Sequence, residues 1–250
     1  MDRELPAISA NGTNVSANGQ SQSGTSFAAP AVAGAAATIQ QANPVLKSWP
    51  EGARAILLAA AGRRVSGTQW FQDVTNAVDA VDGSGALQNE IARFISTSFV
   101  KPFAGTGPNL NGWCSGNLNA KNSFYNNGSA QDRWFFSIPR TNDRFKFRNV
   151  KIALAWNAKY VTYYSPVFPN TPISSASTLT MDLDIYVYDN TDNQKLVAHS
   201  SIFDNSYEIA EFSALEGHEY RIELQRHSAA SVEENTWFGL AWRVYTVGAE

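Results

Sequence analysis

Residues 24–34 carry the chemistry that this sequence predicts most directly. The segment reads Gly-Thr-Ser-Phe-Ala-Ala-Pro-Ala-Val-Ala-Gly, and small helix formers continue to Gln41, so a helix is expected to begin near Ser26. Gly24 permits a tight turn and the close approach of a substrate backbone. Free N–H groups and the helix dipole at such a position favour a developing oxyanion. Ser26 is therefore expected where negative charge is stabilised; the simpler alternative is that Thr25 or Ser26 only caps a buried, alanine-rich helix.

The same segment resembles the nucleophile motif of the subtilisin-like serine proteases, G-T-S-x-A-x-P-x-V-A-G. All fixed positions of that motif are met, by Gly24, Thr25, Ser26, Ala28, Pro30, Val32, Ala33 and Gly34. The resemblance implies that Ser26 attacks the peptide carbonyl and that its backbone N–H helps to form the oxyanion hole. It also implies that Gly24 and Thr25 contact the substrate. Pro30 is expected in the first turn of the helix, where its missing N–H would be unpaired in any case.

Segments on both sides extend the resemblance over residues 5 to about 95. Residues 5–15 are similar to the strand and turn that precede the motif in the family, with Asn11 where the family usually has proline. Apolar residues at helical spacing predict a second helix from Trp49 to Ala61, and residues 82–87 resemble the family's closing turn. The resemblance implies that residues 1–95 are the C-terminal part of a subtilisin-like domain, an α/β fold with an incomplete parallel sheet.

The family's other catalytic segments have no counterpart in this sequence. The aspartate segment D-[ST]-G and the histidine segment H-G-T-x-V-A-G are both missing, as is the segment with the oxyanion asparagine. The histidines are His199, His218 and His227, and a lone histidine among strands is expected to be solvated or hydrogen-bonded. We therefore expect the chain by itself to be inactive as a peptidase, because a serine without a base is a poor nucleophile. An upstream polypeptide is expected to supply the missing residues.

Composition excludes several classes of protein. The 250 residues are 44% hydrophobic and 16% charged, as in globular chains, and the net charge of -3 argues against a nucleic-acid partner. No apolar run is long enough to span a membrane. The polar start from Met1 to Leu5 does not predict a signal peptide, whereas the family resemblance implies a secreted protein. A single cysteine, Cys114, excludes an internal disulfide.

A change of pattern divides the chain after residue 95. Residues 96–130 are rich in Gly, Asn, Ser and Pro and predict a connector with one strand. Residues 131–250 predict an all-β sandwich or jelly roll that has its own core and folds independently. Its strands are expected at 133–138, 145–156, 179–188, 195–200, 207–214, 219–225 and 237–247. A loop containing Tyr160, Tyr163, Tyr164 and Phe168 is expected either to stack on a ligand or, as the simpler alternative, to cover one end of the sandwich or dock onto the protease half.

This half has a weaker resemblance, to the β-sandwich module that follows the catalytic domain in many secreted bacterial subtilisin-like proteases. It rests on the sequences at 182–189, 196–201, 204–208 and 217–222, which occur in the family's order. The acidic positions of that pattern are Asp182, Asp184, Asp204 and Glu208, and hard oxygen ligands of this kind are candidates for Ca²⁺. The simpler alternative is that these side chains accept hydrogen bonds from loop backbone. No cofactor is required for the predicted chemistry.

Two functions follow from these observations. The first is a portion of a secreted serine endopeptidase that hydrolyses peptide or protein substrates through an acyl-enzyme on Ser26. The second is a non-catalytic sandwich module that has a stabilising or ligand-binding role and carries a remnant protease segment.

Overall fold

The N-terminal part of the chain is built from helices. Helices α1 (Thr25–Ala42) and α2 (Pro50–Ala60) form where they were predicted, with a 3-10 helix at Pro44–Ser48 between them, and α3 spans Asn89–Ser96. None of the helices in the described residues is long and apolar enough to cross a membrane. The computed structural model describes residues 7–62, 83–103, 109–140, 147–165, 167, 172–202, 205–229 and 234–246.

An exposed hairpin precedes α1. Strand β1 (Val15–Ala17) pairs antiparallel with β2 (Gln20–Gln22) around Asn18 and Gly19. The φ angles of these two turn residues are 51° and 75°, which suit a two-residue hairpin turn. The parallel sheet implied by the resemblance is not formed by the residues described in this part of the chain, where parallel pairing is limited to isolated bridges such as Ser9 with Ala86.

The C-terminal part of the chain is composed of antiparallel strands. They are β3 (Asn111–Asn119), β4 (Ser129–Ser137), β5 (Phe147–Trp156), β6 (Ala158–Tyr164), β7 (Pro172–Leu179), β8 (Met181–Asp189), β9 (Lys195–Ser200), β10 (Tyr207–Leu215), β11 (Glu219–Ala229) and β12 (Asn235–Tyr245). One four-stranded sheet has the order β10-β5-β12-β3, and a second has the order β4-β11-β8-β9. Strands β6 and β7 form a separate hairpin.

Seven of these strands coincide with strands predicted at stated positions, β3 is the one strand that was expected somewhere within the connector, and β6 and β7 were not predicted. Strand β3 lies in the segment that was expected to be a connector, and it is fully paired with β12. The tyrosines expected in a loop lie instead on β6, in the β6–β7 hairpin, while Phe168 is outside the described residues. In β3 and β7, regular pairing was hidden by the Gly-, Ser- and Asn-rich composition, which is typical of turns. Strand β6 is instead rich in tyrosine and was interpreted as a loop.

The two four-stranded sheets pack face to face around an aromatic core. Trp134 and Phe136 of β4 are fully buried, and Phe136 stacks on Tyr220 of β11 at a centroid distance of 5.4 Å. Trp134 meets Phe238 of β12 edge-on at 5.9 Å, so the aromatic contacts cross from one sheet to the other. Pairs of this geometry add to the stabilisation from burial itself.

The outer face of the β10-β5-β12-β3 sheet is buried too, because α2 and α3 cover it. Ala153 and Ala155 of β5 and Ile209 of β10 belong to a second core shared with the helices. Gly239 of β12 lies so close to α2 that a Cβ atom there would meet main-chain atoms of Glu51 and Gly52. The described residues therefore form three layers. The independent folding expected for residues 131–250 stays a prediction, and the apolar face shared with the helices argues against it.

Candidate active site

Ser26 lies where the motif predicted it, at the N-terminus of a long helix. It is the second residue of α1 and is exposed, as are Gly24 and Thr25. Gly24 precedes the helix with φ 157° and ψ 160°, a conformation that is essentially confined to glycine. The Gly24 carbonyl accepts a hydrogen bond from the N–H of Phe27 at 3.0 Å. The first N–H groups of an α-helix have no carbonyl acceptor within the helix. Those of Thr25 and Ser26 therefore point out of its N-terminus, where they are available to an oxyanion.

A second glycine fixes the turn before Ser26. The N–H of Gly24 donates to the carbonyl of Gly12 at 2.8 Å, and a Cβ atom on Gly12 would lie only 2.6 Å from the carbonyl oxygen of Gly24. Asn11 stands where the family usually has proline, and its Oδ1 accepts the N–H of Thr13 at 2.9 Å. This hydrogen bond from the backbone to the Asn11 side chain favours a turn, as the fixed φ angle of a proline would.

Pro30 was expected in the first turn of α1, but it is the sixth residue of that helix. A residue at this position would normally donate its N–H to the carbonyl of Ser26, four residues earlier. Proline has no N–H, so the helix does not satisfy that carbonyl.

Helix α1 exposes a surface that is unusual for a helix. It contains no charged residue, and only Ala35 and Ile39 are fully buried. The side that faces solvent carries small residues, which are Ala29, Ala31, Ala33, Gly34 and Ala37. Helices that are apolar all round are normally buried, so this face lacks a cover in the residues described.

Two grooves flank this helix. One has a volume of about 520 Å³ and is lined by residues 9–13 together with Ala31, Ala86 and Leu87. The other has a volume of about 340 Å³ and lies between α1 and α2, with an almost wholly apolar lining that includes Ile8, Val32 and Leu57. Both grooves continue the uncovered surface of α1.

No base for Ser26 is found in the part of the chain that the structure describes. His199 stacks on Tyr186 at a centroid distance of 5.9 Å. The Nδ1 atom of His218 lies 2.7 Å from Oδ2 of the buried Asp189. His227 interacts electrostatically with Asp184. All three histidines thus have partners within the sandwich.

Three of the four calcium candidates lie together, and they are buried. Burial and the neighbouring Asp182 raise the pKa of Asp184 to about 6, against an opposing effect of His227. Burial also raises the pKa of Glu208 well above its usual range, although hydrogen bonds from the Ser200 hydroxyl and from the Ile202 N–H (2.7 Å) oppose the shift. Among the residues described, no group of three or more such side chains is arranged to hold a metal ion, and Asp204 lies outside them.

Comparison with known proteins connects this site to one family. Residues 3–99 match the model of the subtilase family, Peptidase_S8, and the match includes Ser26 and all three helices. No curated protein matches the chain. Residues 3–99 of this chain therefore belong to the subtilase family of serine proteases.

Proposed function

We propose that the chain is a portion of a subtilisin-like endopeptidase in which Ser26 attacks the peptide carbonyl and forms an acyl-enzyme. The observation that carries the proposal is the position of Ser26, exposed at the start of α1 behind the constrained Gly24. The N–H of Ser26 would stabilise the tetrahedral oxyanion, and the dipole of this 18-residue helix favours the same charge. Gly24 and Thr25 would line the path of the substrate backbone.

The chain by itself is expected to lack peptidase activity. A serine hydroxyl needs a general base to become a strong nucleophile, and among the described residues no hydrogen bond joins Ser26 to His199, His218 or His227, which contact other residues of the sandwich. We propose that an upstream polypeptide supplies the aspartate, the histidine and a second oxyanion donor. The uncharged face of α1 and the apolar groove beside it offer a surface of the right chemistry for that polypeptide, since covering them removes apolar area from water.

The sandwich would contribute stability rather than chemistry. Apart from the consecutive pair β8 and β9, which share one sheet, the strands of the two four-stranded sheets alternate between them along the chain, as in a jelly roll, and we assign the module to that class. Secretion of the parent protease is proposed by analogy with the family.

We also propose that Asp182, Asp184, Asp204 and Glu208 bind Ca²⁺. Support comes from the burial of Asp182, Asp184 and Glu208, because a buried negative charge is costly without a compensating cation. The described carboxyl groups are not arranged as a metal site, and both oxygens of Glu208 accept hydrogen bonds, so binding would require these side chains to rearrange. Saturating Ca²⁺ at a hundredfold excess over Kd would stabilise the fold by about 2.7 kcal/mol and raise Tm by several degrees. Asp184→Asn should abolish that increase, while Asp192→Asn, at an exposed turn, should not. A Tm that does not respond to Ca²⁺ would contradict this part of the proposal.

The catalytic proposal is tested with the upstream region restored. Hydrolysis of a chromogenic peptide and labelling by a fluorophosphonate are measured for the restored protein and for Ser26→Ala. The substitution should reduce kcat by about 10⁴-fold or more and abolish labelling. Ser21→Ala, at an exposed serine on the neighbouring hairpin, serves as the matched control.

Three further substitutions test whether a histidine of the sandwich takes part in catalysis. His199→Ala, His218→Ala and His227→Ala should leave kcat close to that of the unsubstituted protein. Undiminished turnover in Ser26→Ala, or a sandwich histidine as essential as Ser26, would refute the catalytic assignment. A restored protein that never turns over substrate would favour the non-catalytic module instead.

A further inference from the structure

A buried lysine of the sandwich reaches into the subtilase segment. Lys151 lies on β5, on the face beneath α2, and its side chain is fully buried. Its Nζ donates to the carbonyls of Ala61, at 2.9 Å, and of Ser84, and it lies 3.2 Å from Oε1 of Glu211 on β10. Arg243 of β12 donates to the same Ala61 carbonyl at 3.1 Å. Because a buried ammonium is costly unless it is paired and hydrogen-bonded, these contacts specify one geometry.

The two carbonyls that Lys151 binds hold different parts of the subtilase segment together. Ala61 is the C-terminal cap of α2, where the negative end of the helix dipole favours a cation. Ser84 is fully buried, and its hydroxyl donates to the carbonyl of Leu58 at 2.6 Å. The N–H of Ser84 donates to the carbonyl of Ala7 at 2.9 Å. The ammonium thus ties the turn at residues 83–87 both to the end of α2 and to the chain that leads toward Ser26.

Backbone hydrogen bonds, together with the short stretch of chain from Ser9 to Gly12, connect that turn with the start of α1. The N–H of Ser9 donates to Gly85 at 2.9 Å, and the N–H of Leu87 donates back to the carbonyl of Ser9 at 2.7 Å. Three residues after Ser9, the carbonyl of Gly12 accepts the N–H of Gly24 at 2.8 Å. Displacement of the turn would therefore displace Gly12, and with it the residue that sets the direction of the chain into Ser26.

We propose that Lys151 is a positioning residue for Ser26: from the opposite part of the molecule it fixes the turn at residues 83–87 and, through Ser9 and Gly12, the N-terminus of α1. The inference rests on the proposed function only in naming Ser26 as the nucleophile. The sandwich is then part of the framework of the catalytic residue rather than an appended module.

The test is amide hydrogen exchange measured by NMR on the full chain, with Lys151→Met compared against Lys195→Met. Lys195 is the matched control because its side chain is 68% exposed on β9. In Lys151→Met, exchange should become about tenfold faster or more at the amides along the path, while amides of the far sheet change by less than about threefold. The path amides are those of Ser9, Leu87 and Gly24, and the reference amides are those of Ile222 and Leu224.

Two results would overturn the proposal. One is an equal acceleration at all five amides, which would show that Lys151 contributes only to global stability. The other is unchanged exchange at Gly24. If Lys151→Met does not fold, the double variant Lys151→Met with Glu211→Gln removes both buried charges and is measured in the same way. Native-state exchange of the unsubstituted chain at low denaturant also distinguishes local positioning from global stability. The amides of Ser9, Leu87 and Gly24 should open as one unit. Separate opening of Gly24 contradicts the proposal.

These measurements need no peptidase activity. Failure of the exchange experiment would leave Ser26 as the nucleophile and remove only the role of Lys151. Conversely, an inactive restored protein would leave the mechanical connection from Lys151 to Gly24 intact.

Discussion

Gly239→Ala should loosen the contact between α2 and the sheet more than its single added methyl group would suggest. The new Cβ atom would meet the carbonyl of Glu51 and the N atom of Gly52, which are main-chain atoms at the start of α2. Neither can rotate away as a side chain would, so the helix end must move by about 1 Å to regain ordinary van der Waals separation. Overpacking of this kind costs about 1–3 kcal/mol.

The magnitude is large enough to measure directly. For a chain of this size each kcal/mol lowers Tm by about 2–4 °C, so a decrease of about 2–12 °C is expected. Thermal unfolding followed by circular dichroism gives Tm, and fluorescence of the buried Trp113, which contacts Gly52, reports on the interface itself. A Tm within 1 °C of that of the unsubstituted chain, with unchanged fluorescence, would refute the close approach of α2 to β12.

Three other outcomes follow from the same packing. Gly34→Ala should stabilise the isolated chain by about 0.5–1 kcal/mol in denaturant unfolding, because the added Cβ atom meets nothing within 4 Å and alanine favours a helix; a destabilised variant would mean that this face of α1 is already covered. A truncated chain of residues 109–250 should bind the dye ANS or aggregate, since it exposes the apolar face that α2 covers; a soluble monomer with a cooperative transition would contradict that layer. Trp113→Ala should lower the free energy of unfolding by about 3–5 kcal/mol in urea, because the ring is fully buried between β3 and α2 and its Nε1 donates to Ser96 at 2.8 Å; a loss below 1 kcal/mol would argue against that contact.

Elements whose residues repeat with a clear period were predicted well from the sequence. The alanine-rich run gave α1, and alternation at period two gave β5 and β8 close to their observed bounds. One strand was expected within residues 96–130, but the position of β3 was not predicted, because its glycines resemble those of a loop. The structure gives a packing reason for two of them: a Cβ atom on Gly112 would meet the ring of Trp242, and one on Gly116 would meet that of Phe238. The requirement comes from a strand more than a hundred residues away and leaves no local pattern.

The candidate site, too, was predicted from the sequence only where its residues are neighbours along the chain. Ser26, Gly24 and Thr25 form one contiguous motif, so their relation is fixed by the helix start and needs no long-range information. The pairing of His218 with Asp189 was not anticipated, because these residues are 29 positions apart and come together only when β8 and β11 pair.

The sequence by itself predicted the family that residues 3–99 match and the candidate nucleophile Ser26, since both predictions rest on short runs whose residues are neighbours along the chain. Only the tertiary structure decided that the sandwich and the helices share a core. It also decided that Lys151 donates hydrogen bonds to the carbonyls of Ala61 and Ser84, which lie 90 and 67 residues earlier in the chain. A charged residue inside an apolar strand indicates a buried polar contact, but the sequence does not name its partner. Backbone carbonyls are present at every residue, so only the folded arrangement of the chain selects the two that Lys151 binds.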